Sequence, residues 1–186
     1  MQNIQPKFRL LISKDEIQSE IDKVAAILNK KFASKKVTVI ALMKGSICFT
    51  ADLIRKLSFS FSLELLTCQS YGMRGKERGE LTMESFAINV RDAHVILLDD
   101  MFDSGSTLST AYHEIMSQGA ASCSSIVLLM KDMERKITYR PDLALFTIEN
   151  EFVIGYGLDW KEEYRGLPGI YTVSYTHLTL PTSDLV

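Results

Sequence analysis

At 186 residues with 46% hydrophobic side chains, the chain is long enough to bury one well-packed core and too short for two ordinary domains. With 21 basic against 23 acidic side chains, its formal net charge is -2, which supplies none of the basic field that nucleic-acid binders use. Cys48, Cys68 and Cys123 lie far apart without CxxC spacing, so neither a disulfide framework nor a zinc site is expected and a reducing cytoplasm fits best; the opening "MQNIQPKFRLLISKDEI" does not have the form of a signal peptide, and no uncharged apolar run reaches membrane-spanning length.

In chain order, helical and strand-like segments alternate. After "KFRLLI", Ser13 with Glu16 three residues on reads as a capping box, and Ile17, Ile21, Val24 and Leu28 then share one helical face, which predicts a helix to about Phe32. "VTVIAL" (37–42) is a β-branched apolar run suited to a strand buried on both faces; it enters "MKGS" and then the helical pattern "ICFTADLIRKL" (47–57). "FSFSLELLTCQSY" (59–71) partly alternates like a strand, "GMRGKERGEL" (72–81) reads as a mobile glycine-rich loop, and "MESFAI" (83–88) as an antiparallel return. "HVILL" (94–98) and "SSIVLLM" (124–130) are buried-strand patterns flanking a helix at about 106–118, and "LALFTI" (143–148) and "FVIGYG" (152–157) close the series. No repeat or linker divides the chain. The tail "VSYTHLTLPTSDLV" has no helical or strand period and resembles translated adaptor sequence, so residues 1–173 are taken as the domain and 174–186 as a non-native or disordered tail.

The densest chemistry lies in "HVILLDDMFDSGST" (94–107). In parallel α/β sheets ligands sit at the carboxyl ends of strands, and the pattern puts Asp99 and Asp100 at the end of a strand over 95–98, facing a crevice. Beyond them Ser104, Gly105, Ser106 and Thr107 form a turn into a helix, whose free N–H groups and positive dipole end favour a phosphate. Such a stretch suits a molecule that is anionic at one end and hydroxyl-rich at the other, as a phosphorylated ribose is. There is no GxxxxGK[ST] and no GxGxxG, which sets aside the Walker and Rossmann readings. Each residue also has a plainer reading. Asp103 and Ser104 could cap a helix, Lys44-Gly45 could be an ordinary strand-to-helix turn, and Lys131 opens "KDMERK", a solvated charged loop in most proteins. Phe152 and Trp160 would by default be core, Tyr71 and the glycine loop a hairpin connection, and His94 and His113 structural.

An acidic pair, two apolar residues and Asp-Ser-Gly-x-Thr after a buried strand resemble the 5-phosphoribosyl 1-pyrophosphate (PRPP) signature of type I phosphoribosyltransferases. "LMKGS", "QSYG", "LLMK" and "FVIGYGLDWKEEYRGLP" make the chain similar, from about residue 8 to 171, to the hypoxanthine-guanine phosphoribosyltransferases of that family. The resemblance implies the type I fold: a mainly parallel twisted sheet flanked by helices, with a small C-terminal hood and a mobile loop. It implies that hypoxanthine or guanine displaces pyrophosphate from PRPP. Asp103 would meet the purine as general base or charge stabiliser, while Asp99 and Asp100 hold the ribose hydroxyls, in part through Mg2+. The turn Ser104 to Thr107 would hold the 5-phosphate; Lys44 and Gly45, where the family often has a cis peptide, and Arg165 would hold pyrophosphate. Lys131, Phe152, Val153 and Asp159 would line the purine side, Asp159 also binding a second Mg2+, and Ser70 and Tyr71 would close over the reacting centre. A homodimer or homotetramer is implied, with neither nucleic acid nor membrane as partner.

Two departures from the family pattern stand out: Asp99 replaces the usual glutamate, and Asp132-Met133 follow Lys131 where proline or threonine is common. Two rivals are a regulatory protein sensing PRPP or a nucleotide on the same fold, which a basic face would favour, and a receiver-type phosphoacceptor domain, which leaves "FVIGYGLDW" unexplained.

Overall fold

The structure, a computed structural model, describes residues 7–69, 82–83 and 88–174. After β1 (Lys7–Ile12), the capping box forms as read: the Glu16 amide donates to Ser13 Oγ at 3.3 Å, and the Glu16 carboxylate accepts from the Ser13 amide at 2.8 Å. This opens α1 (Lys14–Phe32), whose face of Ile17, Ile21, Val24, Leu28 and Phe32 is buried, and whose last turn carries Lys30 and Lys31 against the negative helix end.

The chain continues through β2 (Val37–Met43), α2 (Ile47–Ile54), β3 (Phe61–Gln69), β4 (Thr82–Met83), β5 (His94–Phe102), α3 (Ser106–Ser117), β6 (Ser122–Lys131), β7 (Leu143–Ile148), β8 (Val153–Ile154) and β9 (Ile170–Ser174). The main sheet has the order β4-β3-β2-β5-β6-β7. Five of its strands pair in parallel, and β4 joins β3 antiparallel. The uninterrupted apolar runs follow from burial on two faces. Along β5, Ile96 and Leu98 point to the layer of α1 and α2, while Val95 and Leu97 point to α3 with its Leu108, Ala111 and Ile115. A second sheet, β1-β9-β8, is antiparallel and forms a small hood.

Several boundaries differ from the sequence reading. Helix α2 stops at Ile54 rather than running to Leu57, because Asn29 of α1 captures the following chain: its Nδ2 donates to Lys56 O at 2.9 Å and its Oδ1 accepts from the Ser58 amide at 2.7 Å. Strand β5 does not end at Leu98 but continues through both aspartates, since Asp99, Met101 and Phe102 go on pairing with Val127, Leu129 and Met130 of β6. Of "FVIGYG" only Val153 and Ile154 are strand; Gly155 and Gly157 take φ of 92° and 102° and turn the chain away. Strand β9 pairs Ser174 with Lys7 and so reaches one residue into the segment set aside as a tail. The rest of that tail and residues 84–87 of the expected return strand lie outside the described residues.

Candidate active site

The strand order places a switch point between β2 and β5, from which the chain leaves toward β3 on one side and toward β6 and β7 on the other. Ligands of open α/β sheets sit at such a crevice. Immediately after β2 the Met43-Lys44 peptide bond is cis, and Lys44 and Gly45 turn over the end of β5. A Cβ on Gly45 would lie 2.3 Å from Asp100 Oδ2, so only glycine lets this loop rest on the carboxylate. Gly157 of the hood packs in turn on Gly45, where its own Cβ would lie 2.1 Å from the Gly45 carbonyl oxygen. Three segments distant in sequence therefore stack in one column.

Beneath this column Asp99 is buried, 7% exposed, and Asp100 beside it is half-buried. Burial raises the Asp99 pKa well above the ordinary carboxylate range, the neighbouring Asp100 charge adds to the rise, and the Asp100 amide, donating to Asp99 Oδ1 at 2.9 Å, offsets part of it. Burial also raises Asp100, against the opposing pull of its hydrogen bonds and the Arg165 charge. Two carboxylates held out of water at a strand end are costly for folding, and groups that bring hydroxyl donors or positive charge to them recover that cost.

One residue past the end of β5, Asp103 Oδ2 lies 3.5 Å from Nζ of Lys131, the last residue of β6, so the acid and the lysine meet at the ends of neighbouring parallel strands. Helix α3 has Gly105 at its N-cap with φ 82° and no side-chain cap, which removes the plainer reading of Asp103 as a helix cap. Ser104 instead makes a local turn, its Oγ accepting from the Ser106 amide at 3.4 Å. A Cβ on Gly105 would meet Phe102 and Ile137, so glycine is required both by its φ and by the space.

Two connected cavities surround these groups. One of about 220 Å³ is lined by Asp99, Asp100, Asp103, Ser104, Gly105 and Thr107, at the mouth of the first turn of α3. The other, of about 640 Å³, is lined by Lys44, Gly45, Lys131, Phe152, Val153, Asp159 and Arg165. Met43, Asp100, Met101 and Asp103 belong to both and mark the junction. Ser106 faces neither cavity. Phe152 stands at the wall with 49% of its surface exposed, free to cover a planar ligand rather than packed in the core, while Val153 beside it is buried. Trp160 stacks on Tyr164 at 6.2 Å and is only half-buried. Arg165 is held at the far end: its Nη1 donates to the Gly157 carbonyl at 2.8 Å and its Nη2 lies 2.7 Å from Asp159 Oδ1. Ser70, Tyr71 and the loop 72–81 lie outside the described residues.

The sequence reading passed over two sets of residues that organise this site. Arg135, in the stretch read as a solvated loop, folds back and binds four carbonyls. Its Nε donates to Asp103 O at 2.6 Å, its Nη1 to Met133 O at 3.0 Å, and its Nη2 to Phe102 O at 3.0 Å and to Lys131 O. It thereby ties together the ends of the two strands that carry Asp103 and Lys131. Asp52 of α2 accepts from Tyr156 Oη at 2.6 Å and from Gln18 Nε2 at 2.5 Å, anchoring the hood to both helices. Nothing local in the sequence marks either arrangement, apart from a buried tyrosine set between two glycines.

The sequence matches the phosphoribosyl transferase domain over residues 13–161, and the chain therefore belongs to the phosphoribosyltransferase family. It is 34% identical over 163 residues to the hypoxanthine-guanine phosphoribosyltransferase of Streptococcus pneumoniae, which covers 87% of this chain and 91% of that relative. It is 32% identical over 164 residues to the hypoxanthine-guanine-xanthine phosphoribosyltransferase of Tritrichomonas foetus, across 87% and 89% of the two chains. A crystal structure of a hypoxanthine-guanine phosphoribosyltransferase from Bacillus anthracis superposes with a TM-score of 0.82 at 29% identity, covering 91% of this chain and 100% of that one. Within the family, the chain groups with the hypoxanthine-guanine phosphoribosyltransferases.

Proposed function

We propose that this enzyme transfers the 5-phosphoribosyl group of PRPP to hypoxanthine or guanine, forming IMP or GMP and releasing pyrophosphate in purine salvage. The observation that carries the reading is the junction of the two cavities, where Asp103 and Lys131 sit 3.5 Å apart between a phosphate-type turn on one side and Lys44 with Arg165 on the other. In this reading the turn Ser104 to Thr107 holds the 5-phosphate, Thr107 with its hydroxyl and the first turn of α3 with its N–H groups. Asp99 and Asp100 take the ribose hydroxyls, whose donors compensate the buried carboxylates. Lys131 donates to the purine 6-oxo group, Phe152 lies against the ring, and the Val153 backbone reads its edge.

The C–O bond from the anomeric carbon to pyrophosphate breaks as a purine nitrogen forms the new C–N bond, with cationic character on the sugar in between. Asp103 faces the purine and accepts its proton or balances the charge there, an effect worth on the order of 10²- to 10⁴-fold. The ammonium of Lys44 and the fork of Arg165 receive the departing pyrophosphate. Ser70 and Tyr71 are assigned to closing the site against water, by resemblance alone.

Magnesium fits the donor chemistry present. Asp99, Asp100 and Asp159 offer hard carboxylate oxygens at the cavity walls, the donor type of a cation held by one or two carboxylates together with substrate phosphates. When bound, it supplies positive charge to the pyrophosphate. Asp159 is already engaged by Arg165 and by the Glu162 amide, which steer its oxygens toward the larger cavity.

Two further readings belong with this one. Among the described residues no helix is long and apolar enough to cross a membrane; the free Cys48 and Cys123 thiols support a cytoplasmic enzyme. Leu63 and Leu65 are exposed on an outer sheet face that is normally covered in parallel sheets, which supports a homodimer or homotetramer whose size sedimentation would read.

The deciding experiment is turnover with PRPP, magnesium and single bases. Hypoxanthine and guanine yield the monophosphates, xanthine reports how far the exocyclic edge is read, and adenine, orotate and uracil react far more slowly. Equal turnover of adenine refutes the role of Lys131, and full activity in a chelator removes magnesium from the scheme.

A further inference from the structure

We propose that Glu162 is a built-in occupant of the pyrophosphate subsite, and that by competing for its cations it sets how tightly the enzyme holds pyrophosphate. The inference rests on the reading that Lys44 and Arg165 form that subsite. A single carboxylate oxygen, Glu162 Oε2, accepts from Lys44 Nζ at 3.2 Å and from Arg165 Nη2 at 3.0 Å. It thus bridges two cations contributed by separate parts of the fold, one from the end of β2 and one from the hood, at the wall of the larger cavity.

The backbone is arranged to present this carboxylate. Lys161 and Glu162 take φ of 54° and 66°, in the left-handed region that side-chain-bearing residues seldom occupy. The turn is pinned by the Glu162 amide donating to Asp159 Oδ2 at 2.8 Å and by the paired backbone bonds of Trp160 and Glu163 at 3.0 and 3.1 Å. The side chain itself is 66% exposed, so it can swing aside without opening any packed contact.

A scaffolding role for Glu162 is the alternative, and the geometry of Arg165 argues against it. The guanidinium is already fixed by the Gly157 carbonyl and by Asp159, so it keeps its place when Glu162 leaves. What Glu162 adds is competition. Pyrophosphate must take over both donors and then sit beside a displaced negative charge. For a reaction whose inorganic product has to depart before the next PRPP enters, an internal anion that refills the subsite speeds release.

The test is calorimetric titration of the purified enzyme with pyrophosphate and magnesium at low and at high salt. An exposed ion pair is worth a factor of about 1.5 to 5, so releasing two of them in Glu162→Gln tightens pyrophosphate by about two- to 25-fold. The gap narrows at about 0.5 M salt, where exposed charges are screened, and the KM for hypoxanthine stays within about twofold. Glu162→Asn, which suits the left-handed backbone, reads the same if the glutamine variant folds poorly. Unchanged or weaker pyrophosphate binding in these variants overturns the proposal and makes Glu162 a support for Arg165. Lys44→Ala separates the two levels. If it leaves pyrophosphate affinity intact, the subsite itself is misplaced; if it weakens binding while Glu162→Gln does not strengthen it, only the role of Glu162 fails.

Discussion

Asp103→Asn isolates chemistry from binding, because the structure leaves the Asp103 side chain out of the scaffold. The carboxylate does not cap α3, whose N-cap is Gly105, and it contributes no hydrogen bond to the turn that follows. Its described partner is Lys131 at 3.5 Å, and with half of the Asp103 side chain exposed, solvent screens that pair to no more than about 1 kcal/mol. For a protein of this size that is a fall in Tm of at most about 4 °C. The Asp103 main chain is held independently through its carbonyl, which accepts from Arg135 Nε at 2.6 Å and is untouched by the substitution. PRPP affinity, measured by calorimetry, should therefore change by less than about tenfold. On the proposed reading, in which its charge faces the purine, removing it should lower kcat by on the order of 10²-fold or more, equivalent to about 2.7 kcal/mol of transition-state stabilisation. Initial rates of IMP formation at saturating PRPP and hypoxanthine give that number. A variant that turns over within tenfold of the parent, while losing PRPP binding or melting more than about 10 °C lower, would show that Asp103 is a structural or ribose-binding group and that the assignment fails.

Asp99→Asn removes a buried carboxylate whose pKa lies above its ordinary value, so the parent loses stability as pH rises toward that pKa and regains it in acid. The variant should be stabilised by about 0.5 to 2 kcal/mol at pH 8, with the difference shrinking in acid, while its KM for PRPP rises about tenfold or more; a lower Tm at pH 8 contradicts the account. Gly157→Ala combines a φ of 102° with a Cβ 2.1 Å from the Gly45 carbonyl and should cost about 3 kcal/mol or more and weaken pyrophosphate binding. Gly119→Ala, at φ 86° with nothing within 4 Å, carries only the backbone cost of about 1 to 2 kcal/mol; equal losses in thermal melts would remove the packing argument.

What the sequence determines by itself is local and periodic. The capping box at Ser13 and Glu16, the apolar face of α1, the four apolar runs that became β2, β5, β6 and β7, and the acid pair with its Ser-Gly-Ser-Thr turn were all legible, because each depends on residues within a turn or two of one another. The resemblance of several separate motifs then carried the family. Tertiary structure decided the rest. Strand β5 runs on through Asp99 and Asp100 because β6 continues to pair with it, although carboxylates ordinarily end a buried strand. Strands β1 and β9 exist as each other's partners, from opposite ends of the domain. Arg135 becomes the clasp of the site because two strand ends place three carbonyls within its reach, beside the Met133 carbonyl of its own loop, and Glu162 meets Lys44 across 118 residues of sequence. A side chain's identity states which bonds it can make. Which carbonyl or cation lies within hydrogen-bonding reach of it is set by the packing of segments remote in the chain, and no local pattern encodes that.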